Sequence, residues 1–168
     1  MHAPPHVALS ALAEGSDRLF ADAALDLGFD LHAVLPFEVA DYVTTFSNNE
    51  TTPEFHQLLS RATTCLILDG DLAESGTAYE RCGHALVDRS ELLMSVWDGQ
   101  PAAGHGGTPE IIAYALARSC PVAWVHAADD RPAVVLSDIV PSVAMADLDD
   151  AFLVGLGCRR REATDSEA

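Results

Sequence analysis

An open α/β fold is predicted for this chain of 168 residues: a doubly wound, mostly parallel sheet of about five strands with helices on both faces. Two observations predict it. Short apolar runs at residues 7–9, 30–35, 65–68, 92–96 and 121–126 alternate with stretches of helical spacing. Strands separated in this way join in parallel, because a parallel crossover needs the intervening helix. The second observation is a pair of glycine-bearing turns, at residues 13–17 and 104–110, each leading from an apolar run into a helical pattern. In an open α/β sheet the carboxyl ends of the strands are where ligands bind.

Residues 1–5 are expected to form a flexible N-terminal arm, residues 6–157 a single domain, and residues 158–168 a mobile C-terminal tail. After the strand at 7–9, Ser16 is expected to cap a helix whose inner face carries Leu19, Phe20, Ala23, Ala24 and Leu27, with Gly28 as its stop. The strand at 30–35 ends at Pro36 and completes a first βαβ unit. A short helix follows at 37–46 with Val39, Tyr42 and Val43, then a polar loop or lid at 47–52, then a helix opened by Pro53 and running through Leu58, Leu59 and Ala62. The strand at 65–68 leads into an acidic turn at 70–76 and a helix at 77–89 with Tyr79, Cys82, Leu86 and Val87 at suitable spacing. Residues 92–96 are almost continuously apolar, which predicts a central strand buried on both faces. A helix at 109–118, a strand at 121–126, an edge strand or hairpin return at 133–136, and a last helix or turn at 147–156 complete the reading.

Composition narrows the function classes. Apolar residues make up 49% of the chain, which excludes global disorder. The formal charge of −17 repels phosphate backbones, so nucleic acid is not expected as a partner. A small anion remains compatible, because a local nest of N–H groups outweighs a distant field. All nine cationic side chains are arginines, which removes lysine chemistry. Cys65, Cys82, Cys120 and Cys158 are widely spaced in apolar surroundings and are expected to be buried free thiols of a cytoplasmic protein. No long apolar run suits a signal or a membrane span, so no membrane partner is expected. The seven histidines show no ligand spacing; no metal and no cofactor are predicted.

The chemistry is expected at the two turns. In the second, Thr108 is a good N-cap, Pro109 suits the first helical position and Glu110 sits in the first turn. Gly106 and Gly107 ahead of them let a ligand approach converging amides. Glu110 repels a phosphate placed on the helix start but suits ribose hydroxyls or acid–base work. Asp98 and Gly99 end the strongest strand, where a site role and ordinary turn-making compete. In the first turn, Gly15 and Ser16 offer an amide and a hydroxyl to phosphate, or simply start the helix, flanked by Glu14 and Asp17. Arg18 is placed to contact phosphate, and His105 either does so or faces solvent. Trp97 either packs in the core or stacks on a base, and Arg81 and Arg89 read as surface ion pairs.

Residues 12–18 (Leu-Ala-Glu-Gly-Ser-Asp-Arg), 31–37, 88–99 and 106–110 (Gly-Gly-Thr-Pro-Glu), in that order, resemble the SLOG superfamily. This group includes the Rossmannoid domains of the cytokinin-activating LOG proteins and of the DNA-uptake protein DprA. The resemblance covers about two-thirds of the chain. It implies a Rossmann-like domain that binds nucleotides or nucleotide-derived ligands, in several members as a sensor. The LOG enzymes carry a Pro-Gly-Gly-x-Gly-Thr-x-x-Glu loop; here Gly106, Gly107 and Thr108 match its core, and Glu110 follows Thr108 by two positions instead of three. Their catalytic arginine and glutamate pair has no clear equivalent. Domains of the group generally begin with a strand and a glycine-containing phosphate loop ahead of the Ala-Glu-Gly-Ser-Asp element, and residues 7–10 then correspond to their second strand. A missing central strand leaves backbone groups exposed on its two neighbours, which points to a homo-oligomer or to a segment that fills the gap.

The expected function is therefore binding or sensing of a nucleotide-like small molecule, with ligand contacts from Glu14, Gly15, Ser16, Asp17, Asp98, Gly99, Gly106, Gly107, Thr108 and Glu110. A phosphoribohydrolase using Glu110 and Asp98 is the enzymatic alternative. A degenerate structural or oligomerisation module is the third.

Overall fold

The computed structural model describes residues 6–47, 49–100, 105–127 and 132–136. The expected N-terminal arm, final helix and C-terminal tail lie outside them. The chain is a mixed α/β protein with two three-stranded sheets where one of about five strands is expected. In the first, β1 (Val7–Ser10), β2 (Asp30–Leu35) and β3 (Thr64–Ile67) are parallel in that spatial order, with Ala8 opposite Leu31 and Ala33 opposite Cys65. In the second, β4 (Leu93–Trp97) runs parallel to β5 (Val122–His126), and β6 (Val134–Leu136) returns antiparallel on β5. Among the described residues β1 and β4 are thus edge strands, and no ladder joins the two sheets.

The helices connecting these strands are α1 (Ser16–Asp26), the single turn α2 (Val39–Tyr42), α3 (Thr52–Arg61), α4 (Ser75–Val87) and α5 (Thr108–Ala117). In α1 the inward positions are Arg18, Ala21 and Ala24, while Leu19 and Leu27 are 73% and 78% exposed. Of the expected inner face Ala24 is buried and Phe20 half-buried, whereas Leu19, Ala23 and Leu27 turn outward and Ala21 turns in. Small alanines let the helix lie close to the sheet, which the leucines would hold off. The stop at Gly28 is as expected. Its φ of 82° allows Phe29 N–H to reach Ala24 O and Gly28 N–H to reach Leu25 O, closing the last turn.

Two cores result. Leu12, Leu31, Leu35, Phe37, Tyr42, Phe55 and Leu58 form the first, beside β2, with the rings of Tyr42, Phe46 and Phe55 5.1–5.7 Å apart in edge-on contact. Trp97, Ile112, Ala115, Val122, Trp124 and Leu136 form the second, against α5. Trp97 takes the core role: it is 5% exposed and its ring lies tilted 5.4 Å from that of Trp124, whose indole N–H donates to Trp97 O. Helix α4 supplies Ala78 to the first core and Val87 to the second. A side chain at Gly83 would collide with Ile111, so glycine lets α4 and α5 meet closely. The buried Cys82 thiol donates to Val34 O at 3.2 Å.

Two expectations about burial change, and one about the segment before α3. β4 is an edge strand with one open face: Ser95 and Trp97 are buried, but Met94 and Val96 are 53% and 42% exposed. Its near-continuous apolar run signals two covered faces, and α5 covers one. All four residues of β3 are exposed, so Cys65 is an accessible thiol, whereas Cys82 and Cys120 are buried. Val43–Thr45 and Asn49–Thr51 are 3-10 turns, the second feeding directly into α3.

α5 ends as α1 does, with Cys120 N–H bonded to Ala115 O and Ser119 N–H to Leu116 O, but the left-handed position is a serine at φ 56°. A non-glycine residue there costs about 1–2 kcal/mol, partly offset by the larger entropy that glycine loses on folding. Ser119→Gly is expected to stabilise the protein by up to about 1 kcal/mol, seen as a higher urea midpoint at unchanged slope.

Candidate functional site

The first turn leaves β1 through Leu12, which is fully buried at φ 56°, and reaches α1 through Gly15 at φ 91°. Polar side chains enforce this path. Ser10 Oγ accepts from Leu12 N–H and donates to Asp17 O, and Asp17 Oδ2 accepts from Ala13 N–H. Burial pushes the Asp17 carboxyl above its ordinary value, although the Ala13 and Ala11 amides and the Arg18 charge pull it down. Gly15, not Ser16, is the N-cap, and Ser16 is the first helical residue with no side-chain capping bond.

Arg18 turns inward and is 2% exposed, out of reach of the phosphate contact expected for it. Its Nε donates to Leu12 O at 3.1 Å, and its Nη1 donates to Thr51 O at 2.7 Å and pairs with Glu54 at 3.2 Å. The guanidinium lies 4.6 Å from the Phe46 ring centre and 5.9 Å from that of Phe55. Its Nη2 and the hydroxyl of Tyr42 are buried without a hydrogen-bond partner among the described residues. Glu14, on the outer side of the turn, accepts from Ser47 N–H at 2.7 Å, Ser47 Oγ at 3.2 Å and Thr51 Oγ1 at 2.5 Å. These donors hold its carboxyl below the ordinary range, the Ser47 amide foremost. The polar segment expected as a loop or lid is therefore tied to the first turn from both sides.

The second turn follows β4. Asp98 Oδ1 accepts from Gln100 N–H at 2.9 Å, Gln100 O accepts from the Trp97 indole at 2.7 Å, and Gly99 takes φ 81°. Asp98 is thus engaged as the turn-maker. Beyond it, Gly106 takes φ 79°, and a side chain there would sit 2.4 Å from Gly76 O. The N-cap of α5 is Gly107 instead of Thr108, and the structural role falls to Glu110, whose carboxylate reaches back to Gly106 N–H at 2.5 Å. His105 is 56% exposed, with Nε2 3.0 Å from Glu80 and Nδ1 3.8 Å from Glu110. Among the described residues the amides of Gly107 and Thr108 donate to no protein acceptor.

Two groups emerge from the expected residues. Glu14 and Asp17 join Arg18 and residues 47–54; Gly106, Gly107, Thr108 and Glu110 join His105, Gly76 and Glu80. Among the described residues no hydrogen bond links the groups directly. They meet through aromatic rings: Gly106 lies beside Tyr79, Tyr79 is edge-on to Phe37 at 5.5 Å, and Phe37 is tilted on Tyr42 at 6.1 Å. An open hollow lined by Val43, Thr44, Thr52, Pro53 and His56 contains none of the expected residues. Arg81 forms the expected surface pair, with Asp69 at 2.6 Å, while Arg89 donates to Ala85 O within its own helical segment.

The Arg18 cluster was missed because its partners Thr51 and Glu54 stand 33 and 36 residues along the chain. The one local signal was the phase of Arg18 with Ala21 and Ala24. Among the described residues no group of three His, Cys, Asp or Glu side chains could hold a metal ion, and no helix is long and apolar enough to cross a membrane.

The raised carboxyl of Asp17 gives a signed expectation. A carboxyl that binds its proton more tightly folded than unfolded contributes stability below its ordinary value of 3.8, and that contribution is lost as pH rises through the folded value. Across this window wild type is expected to lose stability relative to Asp17→Asn, which keeps an acceptor but cannot ionise. Urea unfolding of both proteins from about pH 4 to about pH 7 checks the difference.

No protein-family model and no curated protein matches this chain.

Proposed function

We propose that the chain binds a nucleotide or nucleotide-derived small molecule at the carboxyl ends of its parallel strands, in a Rossmann-like, doubly wound domain of the SLOG kind. The observation that carries this reading is the start of α5. Two amides that donate to no acceptor among the described residues, Gly107 and Thr108, stand at the positive end of a ten-residue helix. Such amides suit phosphate oxygens. The Glu110 carboxylate is turned back onto Gly106 N–H, and the exposed His105 stands beside it. The parallel β1–α1–β2 and β4–α5–β5 units supply the scaffold, and their two glycine turns carry the resemblance.

Binding is favoured over catalysis because each candidate carboxylate already accepts protein hydrogen bonds. Glu14 serves Ser47 and Thr51, Asp98 serves Gln100, and Glu110 serves Gly106. A phosphoribohydrolase needs a carboxylate free to handle a proton in the reaction. A structural or oligomerisation role has its own support in the edges of β1 and β4, which pair with no further strand among the described residues.

Titration calorimetry with AMP, ADP-ribose, NAD and cyclic nucleotides is expected to show one-to-one binding of at least one of them. Gly107→Asp separates binding from folding. Gly107 sits at φ −77°, ψ 165°, which any residue adopts, and aspartate is a good N-cap, so stability is kept. A carboxylate there repels phosphate, and affinity is expected to fall at least about tenfold, or about 1.4 kcal/mol. No heat with any of these ligands in folded protein overturns the proposal. Free base released from nucleotides would restore the enzymatic reading.

A further inference from the structure

We propose that His105 is a proton-dependent latch: with a charged ring it fastens the glycine turn ahead of α5 to the start of α4, and with a neutral ring it lets the turn go. The latch works in the ligand-free chain, whatever the turn binds.

α4 offers a seat for it. The helix starts Ser75-Gly76 and carries Glu80 four residues after Gly76, so both stand on one face. A side chain at Gly76 would lie 3.2 Å from His105 O, 3.3 Å from its Cβ and 3.6 Å from the ring carbon Cδ2. Glycine thus leaves a notch in which the backbone and ring of His105 rest. One helical turn further along, Glu80 meets Nε2 at 3.0 Å. Gly106 leans on the same stretch, since a Cβ added there would be 2.4 Å from Gly76 O and 3.0 Å from Glu80 N. Two consecutive residues of the turn are therefore received by α4.

The ring has a carboxylate at each nitrogen. Nε2 faces Glu80 of α4, and Nδ1 faces Glu110 Oε2 of α5 at 3.8 Å. The same Glu110 oxygen accepts the Gly106 N–H. Among the described residues no arginine pairs with Glu80 or Glu110, so His105 is the cation that joins them. Tyr79 is the other titratable side chain of α4 against the turn, at Gly106. Only an imidazolium carries a proton on both nitrogens, whereas the neutral ring has one N–H and one lone pair. With its N–H kept for Glu80, a neutral His105 turns a lone pair toward the anionic Glu110 oxygen, and the charge joining the two carboxylates is gone. An imidazole ordinarily makes this change between about pH 5 and about pH 8. Release loosens the residues just ahead of Gly107, the N-cap of α5.

Hydrogen exchange of residues 105–110 in the full, ligand-free chain tests this, read as protection relative to the unstructured-chain rate at the same pH. Half-exposed charges contribute modestly, so wild type is expected to lose protection about threefold to fivefold between about pH 5.5 and about pH 8. His105→Gln is neutral throughout, and its protection is expected to stay flat at the wild-type level of the higher pH. Glu80→Gln, which keeps the ring and removes one carboxylate, is expected to lose most of the response. His56→Gln, on the exposed side of α3, is expected to keep all of it. Equal protection of wild type at both pH values overturns the latch. A full wild-type response in either His105→Gln or Glu80→Gln overturns it as well, so the test stands if one of them fails to fold. A loss of the response in His56→Gln assigns it to the whole fold and overturns the latch too.

Discussion

The buried guanidinium of Arg18 is the interaction on which the first half of the molecule depends. It binds Leu12 O in the turn after β1 and Thr51 O and Glu54 at the start of α3, joining two segments more than thirty residues apart. Removing such a charge from water costs several kcal/mol. Backbone carbonyls, one carboxylate and the faces of Phe46 and Phe55 offset that cost. With both carbonyls facing the same cation, the turn and the helix start have one mutual arrangement. The strained backbone of Leu12 and the orphaned Nη2 show that the arrangement is held against local preference.

Much of the element order was legible in the sequence, because alternation of apolar runs and helical spacing is a local property. The βαβ units, the end of α1 at Gly28, the helix near Pro53 and the hairpin return at β6 follow from it. Facing was less legible. In α1 the expected face of Leu19, Phe20, Ala23, Ala24 and Leu27 is right at Ala24 but wrong at its two leucines, which bulk alone would turn inward. Which side turns inward is decided by how closely the helix approaches the sheet and by Arg18 reaching distant acceptors. Nothing near residue 18 encodes either. The run at 92–96 misled for the same reason, since a strand's sequence reports what it can bury, while its neighbours decide what is covered.

The candidate site shows a similar division. Both glycine turns were legible from residue type and spacing. The roles within them were not, because a carboxylate in a tight turn finds the nearest N–H donor. Glu110 and Asp98 spend their lone pairs on Gly106 and Gln100, and the amides left over belong to Gly107 and Thr108. Side-chain capping thus redistributes the donors available at a helix start.

Helix α4 is shared by both halves of the molecule. It gives Ala78 to one core, Val87 to the other, and the Cys82 thiol to the backbone of β2. Since no strand ladder joins the sheets among the described residues, this helix is the principal mechanical coupling between them. A force or a thermal fluctuation that peels it away would uncover both apolar interiors at once. The two halves should therefore melt as a single cooperative unit despite their separate sheets.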